Sequence, residues 1–347
     1  MPTGAGREQS VEQKLAEVRM RRDTAAEQLA DQPSAPDEFG LEDLLVNLRR
    51  SLERTVQDVQ ALDVPAESLS PFLEIGAQRA QRSGVLVNQL GLRGVALDLS
   101  PHSLVAAEAL AAPLGFAAPA ERICCDAYAL PFAAETFSFV FTYQTLHHFP
   151  DPTPILAEAW RVLRPGGILW FAEEPLSRPH LMLFRHGHKL TPGMRLLRKT
   201  GLLHLLATGG KREAEYGVTE ESFTVAQWLA ATGASFEDFT LWARSPLLGR
   251  RRYGPSAAGR SRGALAWSRL AGGQVSCRAR KAGTLPPGPA PDPWARLICP
   301  DCRRAGQETP LAADESCPRC GRKLTRFRGV LLALPADLEQ EVGGFLE

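Results

Sequence analysis

Four continuous apolar runs, Phe72–Ile75, Val95–Leu97, Phe137–Phe141 and Ile168–Phe171, punctuate the stretch from Pro71 to Pro175. Each ends in polar or small residues, and helical patterns lie between several of them. That alternation predicts an α/β fold with a doubly wound parallel sheet covered on both faces. In such sheets ligands bind where the chain leaves the carboxyl ends of the strands. The exits carry Glu74 and Gly76, Asp98, Asp126, Tyr143 to His148, and Glu173 with Glu174. Those residues are the candidates for function.

Around this centre the pattern is plainer. Residues 1–36 are polar and charged and predict a mobile N-terminal tail with one exposed helix over Val11–Leu29. Over 38–63, Leu41, Leu44, Leu45, Leu48, Leu52, Val56 and Val59 recur at three- and four-residue steps. One helix face is therefore apolar, suited to packing near the first strand or roofing the site. About residues 176–221 an insertion rich in leucine, histidine and basic residues predicts a helical cap over an acceptor. The segments FEDFTLWARS and GGQVSCRARKAG read as a closing antiparallel pair, with the basic GRRRYGPSAAGRSRG as a flexible loop between them. The boundaries that follow are 1–36 for the tail, 37–284 for the main domain, 285–296 for a Pro-rich linker and 297–347 for a small C-terminal domain.

Composition narrows the partners little. The formal net charge is +1 over 347 residues, but residues 1–70 hold 14 acids against 8 bases, and no acid occurs from Phe239 to Pro291. No run reaches the ~18 apolar residues of a membrane span, and the N-terminus lacks a signal peptide's apolar core, so the expected compartment is the cytoplasm. Oligomeric state is not legible. Cys299-Pro-Asp-Cys302 and Cys317-Pro-Arg-Cys320 are two paired knuckles. Four thiolates so spaced make a closed tetrahedral site for structural zinc. The adjacent Cys124 and Cys125 suit buried small hydrophobes better than chelation.

The turn after the first run, Glu74-Ile75-Gly76-Ala77-Gln78-Arg79-Ala80, resembles the acidic-x-Gly-x-Gly-x-Gly motif of class I S-adenosylmethionine-dependent methyltransferases. Gln78 and Ala80 stand where the second and third glycines are usual. Asp98-Leu99 follows about 20 residues on, the distance at which an acidic side chain reaches a ribose hydroxyl pair. Asp126-Ala127 resembles that family's aspartate–small-residue step at the adenine. FSFVFTYQTLHHFPDP and AEAWRVLRPGGILWFAEEP resemble its fourth and fifth strand regions, so the whole is similar to the methyltransferase type 11 group. The resemblance implies a Rossmann-like, seven-stranded sheet binding S-adenosylmethionine through Glu74, Gly76, Gln78, Asp98, Leu99, Asp126, Ala127, Tyr143 and Gln144. The C-terminal RFRGVLLALP, with the knuckles, resembles the small zinc-ribbon proteins that activate certain methyltransferases.

Methyl transfer from a sulfonium needs alignment of the nucleophile and, for a hydroxyl, removal of a proton. His147, His148 and Glu173 are the catalytic candidates. Consecutive side chains diverge, so only one of the two histidines is expected to face the cleft; both could instead be structural, beside the Phe149-Pro150-Asp151 turn. At least one of Glu173 and Glu174 is expected at solvent or a cap. The expected activity is O- or N-methylation of a small-molecule or lipid- or carrier-linked acceptor. Two alternatives stay open: a silent methyltransferase-fold adaptor, with Gln78 obstructing the cofactor, and an RNA or protein methyltransferase docking its substrate through the ribbon. Against base methylation, TYQTLHHF contains no Asn/Asp-Pro-Pro-aromatic motif.

Overall fold

The computed structural model describes residues 8–29, 41–119, 121–176, 211–218, 221–245, 249–256 and 273–346. The cap expected over about 176–221 lies mostly outside the described residues.

The four apolar runs become β1 (Phe72–Ile75), β2 (Gly94–Asp98), β4 (Phe137–Tyr143) and β5 (Leu163–Pro175), with β3 (Arg122–Cys124) between. These five pair in parallel in the order β5-β4-β1-β2-β3. The expected antiparallel pair is present as β6 (Asp238–Ser245) and β8 (Gln274–Arg280), with β8 against β5. The seven-stranded order thus forms the body of a larger sheet of ten. On one edge is β7 (Gly249–Tyr253), antiparallel to β6. It takes up Arg250–Arg252, which the sequence reading leaves in a loop.

The other edge carries the more consequential addition. Downstream of the cysteines, β9 (Thr325–Phe327) and β10 (Val330–Leu332) form a hairpin, and β10 lies parallel to β3. Leu331 faces Ile123 in register, and Ala333 N–H donates to Cys124 O at 2.8 Å. Edge strands offer unpaired backbone groups; here the chain's own C-terminal segment covers them.

Helices cover both faces. Helix α2 (Leu41–Gln60) and α3 (Gln81–Leu90) pack Leu52, Val59, Val85 and Leu86 on Phe72, Phe139 and Phe141. Opposite them, α6 (Thr153–Val162) and α8 (Val225–Gly233) pack Ile155, Leu156 and Trp228 on Leu73, Val140 and Phe171. The short α4 (Pro101–Val105) and α5 (Ala107–Leu114) follow β2, α7 (Lys211–Tyr216) precedes α8, α9 (Pro300–Arg304) belongs to the cysteine module, and α10 (Ala336–Gly343) closes the chain. Ser100 caps α4 by accepting the Ser103 N–H at 3.3 Å, with Pro101 in the first turn, as the local sequence predicts.

Helix α1 (Val11–Leu29) has the predicted bounds but a different setting. Ala16, Val18 and Met20 are buried, and Val18 joins a cluster with Ala77, Leu104 and Val330. The expected exposed helix is in fact packed across the strand exits.

Candidate cofactor and metal sites

The turn after β1 is built on left-handed backbone. Gly76 has φ 71°, Gln78 50° and Ala80 52°, so each position of the glycine motif keeps the conformation that glycine adopts most easily. Gln78 and Ala80 adopt it at some cost, because a Cβ crowds the left-handed well. Gly76 is needed for space as well: a Cβ there would lie 2.3 Å from Thr145 Cγ2. Gln78 does not obstruct through its backbone. Its N–H donates to Asp98 Oδ2 at 2.7 Å, and Asp98 Oδ1 accepts the Ser100 N–H at 2.8 Å. Burial pushes the Asp98 carboxyl up to about 6, and the negative charge of Glu17 on α1 adds to the rise.

Glu74 works beneath this turn. Its Oε2 accepts the Ser83 N–H (2.9 Å) and Oγ–H (2.5 Å), so a strand residue satisfies the first turn of α3, whose own N-cap Ala80 offers no side-chain bond. Burial raises its carboxyl to about 7. Asp126 follows β3; its Oδ1 accepts the Tyr128 N–H at 3.1 Å, and Oδ2 meets Lys14 Nζ at 2.7 Å. Leu99 is half-buried and Ala127 buried beside these carboxylates.

At the ends of β4 and β5 a second polar group forms. Tyr143 Oη donates to Asp58 Oδ2 (3.2 Å) and accepts from Trp170 Nε1 (3.0 Å), while the Arg82 guanidinium lies 4.0 Å over its ring. Glu173 accepts from Arg54 Nη1 (2.8 Å) and Gln144 Nε2 (2.6 Å), with Arg82 Nη2 at 3.6 Å. Both Gln144 (φ 52°) and Glu173 (φ 64°) are left-handed non-glycine residues, a conformation of order 1–3 kcal/mol above the ordinary wells and concentrated at functional sites. Arg54, Asp58 and Arg82 are not legible as site residues in the sequence; the signal for the first two is their i, i+4 placement on α2.

Glu173 and Glu174 are both buried, contrary to the expectation that one faces solvent or a cap. Glu174 holds the turn after β4. Its carboxylate accepts the N–H groups of Thr145 (2.8 Å), Leu146 (3.0 Å) and His147 (3.2 Å), and meets His147 Nδ1 at 2.8 Å. The rings of His147 and His148 do not diverge. The 3-10 turn Leu146–His148 sets them side by side, centroids 4.3 Å apart and tilted by 34°.

Sequence reasoning also misses Lys14. It falls at helical spacing with Val11, Leu15 and Val18, and a lysine inside an apolar stripe is the one signal that could have marked it. A cavity of about 340 Å³, lined by Val87, Arg93 and Trp294 among others, lies near the amino ends of β1 and β2, away from these residues.

The cysteine module passes a geometric test. The Sγ atoms of Cys299, Cys302, Cys317 and Cys320 all lie within 4.8 Å of one another, with Cys299–Cys320 at 3.6 Å and Cys302–Cys317 at 3.7 Å. Zinc–sulfur bonds of ~2.3 Å in a tetrahedron require edges of roughly 3.8 Å, so the donor set fits zinc. The module is fastened to the main domain: Arg303 Nη2 meets Glu158 Oε1 at 2.6 Å, and Arg161 Nη1 meets Glu308 Oε1 at 2.9 Å.

Among known proteins, residues 73–171 match the methyltransferase domain family. Ubiquinone biosynthesis O-methyltransferase of Parvibaculum lavamentivorans is 32% identical over 108 residues, 31% of this chain and 41% of that protein. Norajmaline N-methyltransferase of Rauvolfia serpentina is 26% identical over 131 residues, 37% of this chain and 45% of that protein. The matched region spans less than half of these relatives. Of solved structures, the complex between the Haloferax volcanii Trm112 methyltransferase activator and a methyltransferase covers 75% of this chain and 97% of that one, at 14% identity and a TM-score of 0.43.

Proposed function

With residues 73–171 a class I S-adenosylmethionine-dependent methyltransferase domain, we propose that the chain transfers a methyl group to an oxygen or nitrogen of a small-molecule or carrier-linked acceptor. The observation that carries this is the placement of two carboxylates, Asp98 and Asp126, at successive strand exits beside the left-handed Gly76–Ala80 turn.

The residues present fit the cofactor by their chemistry. Asp98 would take the ribose hydroxyls, Asp126 with Ala127 the adenine edge, and the Gly76 turn the close backbone approach. When bound, the cofactor supplies an activated methyl on a sulfonium. The chain's part is to position the acceptor and accept its proton. Glu174 on Nδ1 of His147 requires a proton on that nitrogen and leaves Nε2 as the basic atom. We assign proton acceptance to the His147–His148 pair on that ground. Glu173, held by Arg54 and Gln144, serves better to orient than to abstract.

The parallel pairing of β10 on β3 supports a role for the zinc ribbon within its own chain, as a brace of the cofactor-side edge. Among the described residues no helix is long and apolar enough to cross a membrane. One observation favours a second, polyanionic class of acceptor such as RNA. The register of β6, β7 and β8 sets Arg244, Arg250, Arg252, Arg278 and Arg280 on one face of the sheet, with Trp242 among them.

Calorimetric titration with S-adenosylmethionine tests the leading reading. Wild type should bind, and Asp98→Ala should bind at least tenfold more weakly through loss of a charge-assisted hydrogen bond. Unchanged affinity in the variant would remove Asp98 from the site.

A further inference from the structure

Resting on the reading of the strand-exit carboxylates as cofactor ligands, we propose that helix α1 and the cofactor nucleoside compete for one of them, Asp126, and that Lys14 is the residue that sets the outcome.

Polar residues from α1 and the turn before it converge on separate strand exits. Lys14 Nζ meets Asp126 Oδ2 at 2.7 Å, after β3, and lies 4.8 Å from the centroid of the Tyr128 ring. Arg21 Nη1 donates to the Gln78 carboxamide oxygen at 2.7 Å when that amide is turned to face it, after β1. On Asp98, at the end of β2, α1 acts with both signs, Glu17 opposing its ionisation and Arg21 favouring it. Gln9 adds bonds from its side-chain nitrogen to His148 O (2.8 Å) and from its N–H to Tyr128 Oη (2.9 Å). Val18, fully buried, fills the space between Ala77, Ala80 and Leu104.

A helix that merely shielded the sheet edge would bury its apolar stripe and leave its charges in water. This one sinks an ammonium group until its side chain is only 9% exposed. Burying that charge is costly unless a partner repays it, and the partner is the carboxylate that the motif reserves for a ligand amine. Both oxygens of Asp126 are engaged in the free protein, one by Lys14 and one by the Tyr128 N–H. A ligand amine can take the Lys14 position only after the ammonium leaves. The apparent affinity is then the intrinsic one reduced by the small fraction of molecules with α1 displaced.

The test uses the full-length protein and S-adenosylhomocysteine. Two results are expected. Lys14→Met, which keeps the length of the side chain and removes its charge, should bind the ligand about tenfold or more tightly than wild type by calorimetry. In wild type, the backbone amides of α1 should exchange hydrogen faster at saturating ligand than without it. Should Lys14→Met fold poorly, deletion of residues 1–36 supplies the same comparison. Equal or weaker binding by the variants, or α1 amides that gain protection with ligand, would overturn the competition and leave the cofactor site standing, with α1 as a clamp over bound ligand. Absence of binding by wild type and variants alike would bring down the cofactor reading, and the competition with it.

Discussion

Oε2 of Glu174 lies 2.8 Å from Nδ1 of His147, and the same side chain accepts three consecutive backbone N–H groups, from Thr145 to His147. One fully buried carboxylate thus fixes both the shape of the turn after β4 and the tautomer of its first histidine. Glu174→Gln keeps the volume but replaces one acceptor oxygen with a donor amide facing other donors. Unpaired buried groups of this kind cost ~1–3 kcal/mol each. Urea unfolding should show a loss of about 2–4 kcal/mol. At a temperature where the variant stays folded, the turnover number should fall more than the Michaelis constant rises.

Gly76 and Thr145 form a steric pair across the cleft. Adding a methyl group at position 76 places it 2.3 Å from Thr145 Cγ2, in backbone at φ 71°. Gly76→Ala should destabilise the fold by roughly 2–4 kcal/mol, combining overpacking with left-handed strain. Gly76→Ala with Thr145→Gly removes the contact but not the strain. The double variant should therefore recover part of the loss, measurable as a coupling energy in a double-mutant cycle.

Two raised carboxyls give stability and ligand affinity opposite pH dependences. Burial lifts Glu74 from 4.5 to about 7 and Asp98 from 3.8 to about 6. A group with a higher pKa in the folded state stabilises the fold below its unfolded pKa and loses that contribution as pH rises through the folded one. Stability measured by urea unfolding should decline from pH 5 to pH 8, and Glu74→Gln should flatten the upper part of that slope. In the proposed cofactor site ionised Asp98 is the acceptor, so affinity should instead fall as pH drops below about 6.

Much of the sheet was legible because its strands are local events. The apolar run bounds Phe72–Ile75 in full and falls two residues short for β2 and for β4, whereas Ile168–Phe171 covers only the middle of the 13-residue β5. Asp98 and Asp126 could be placed because a strand end fixes where its next residue emerges. Lys14 could not, since its partner lies 112 positions away and nothing near it in sequence announces Asp126. The same holds for Val330–Leu332: a short apolar run predicts burial, but which strand it joins is decided by an open edge formed 200 residues earlier. The turn at Gln78 is an instructive departure. Two of its three glycines are absent, yet the left-handed path persists, held in part by the Gln78 N–H on Asp98.

The pairing of β10 with β3 would make a zinc held by the four cysteines a matter for the whole domain. The four thiolates stand at tetrahedral spacing, and the chain leaving them runs directly into β9 and β10. Purified protein should carry one zinc per chain by elemental analysis. A small module gains much of its stability from its metal, so chelation or Cys317→Ser should unfold residues 297–324 first. Arg303 and Glu308 would then release Glu158 and Arg161, and the β3 edge would lose its cover. The expected consequence is a fall in melting temperature of the methyltransferase domain itself, with faster hydrogen exchange at Ile123 and Cys124. An unchanged melting temperature after complete zinc removal would show instead that β9 and β10 hold their place without the metal.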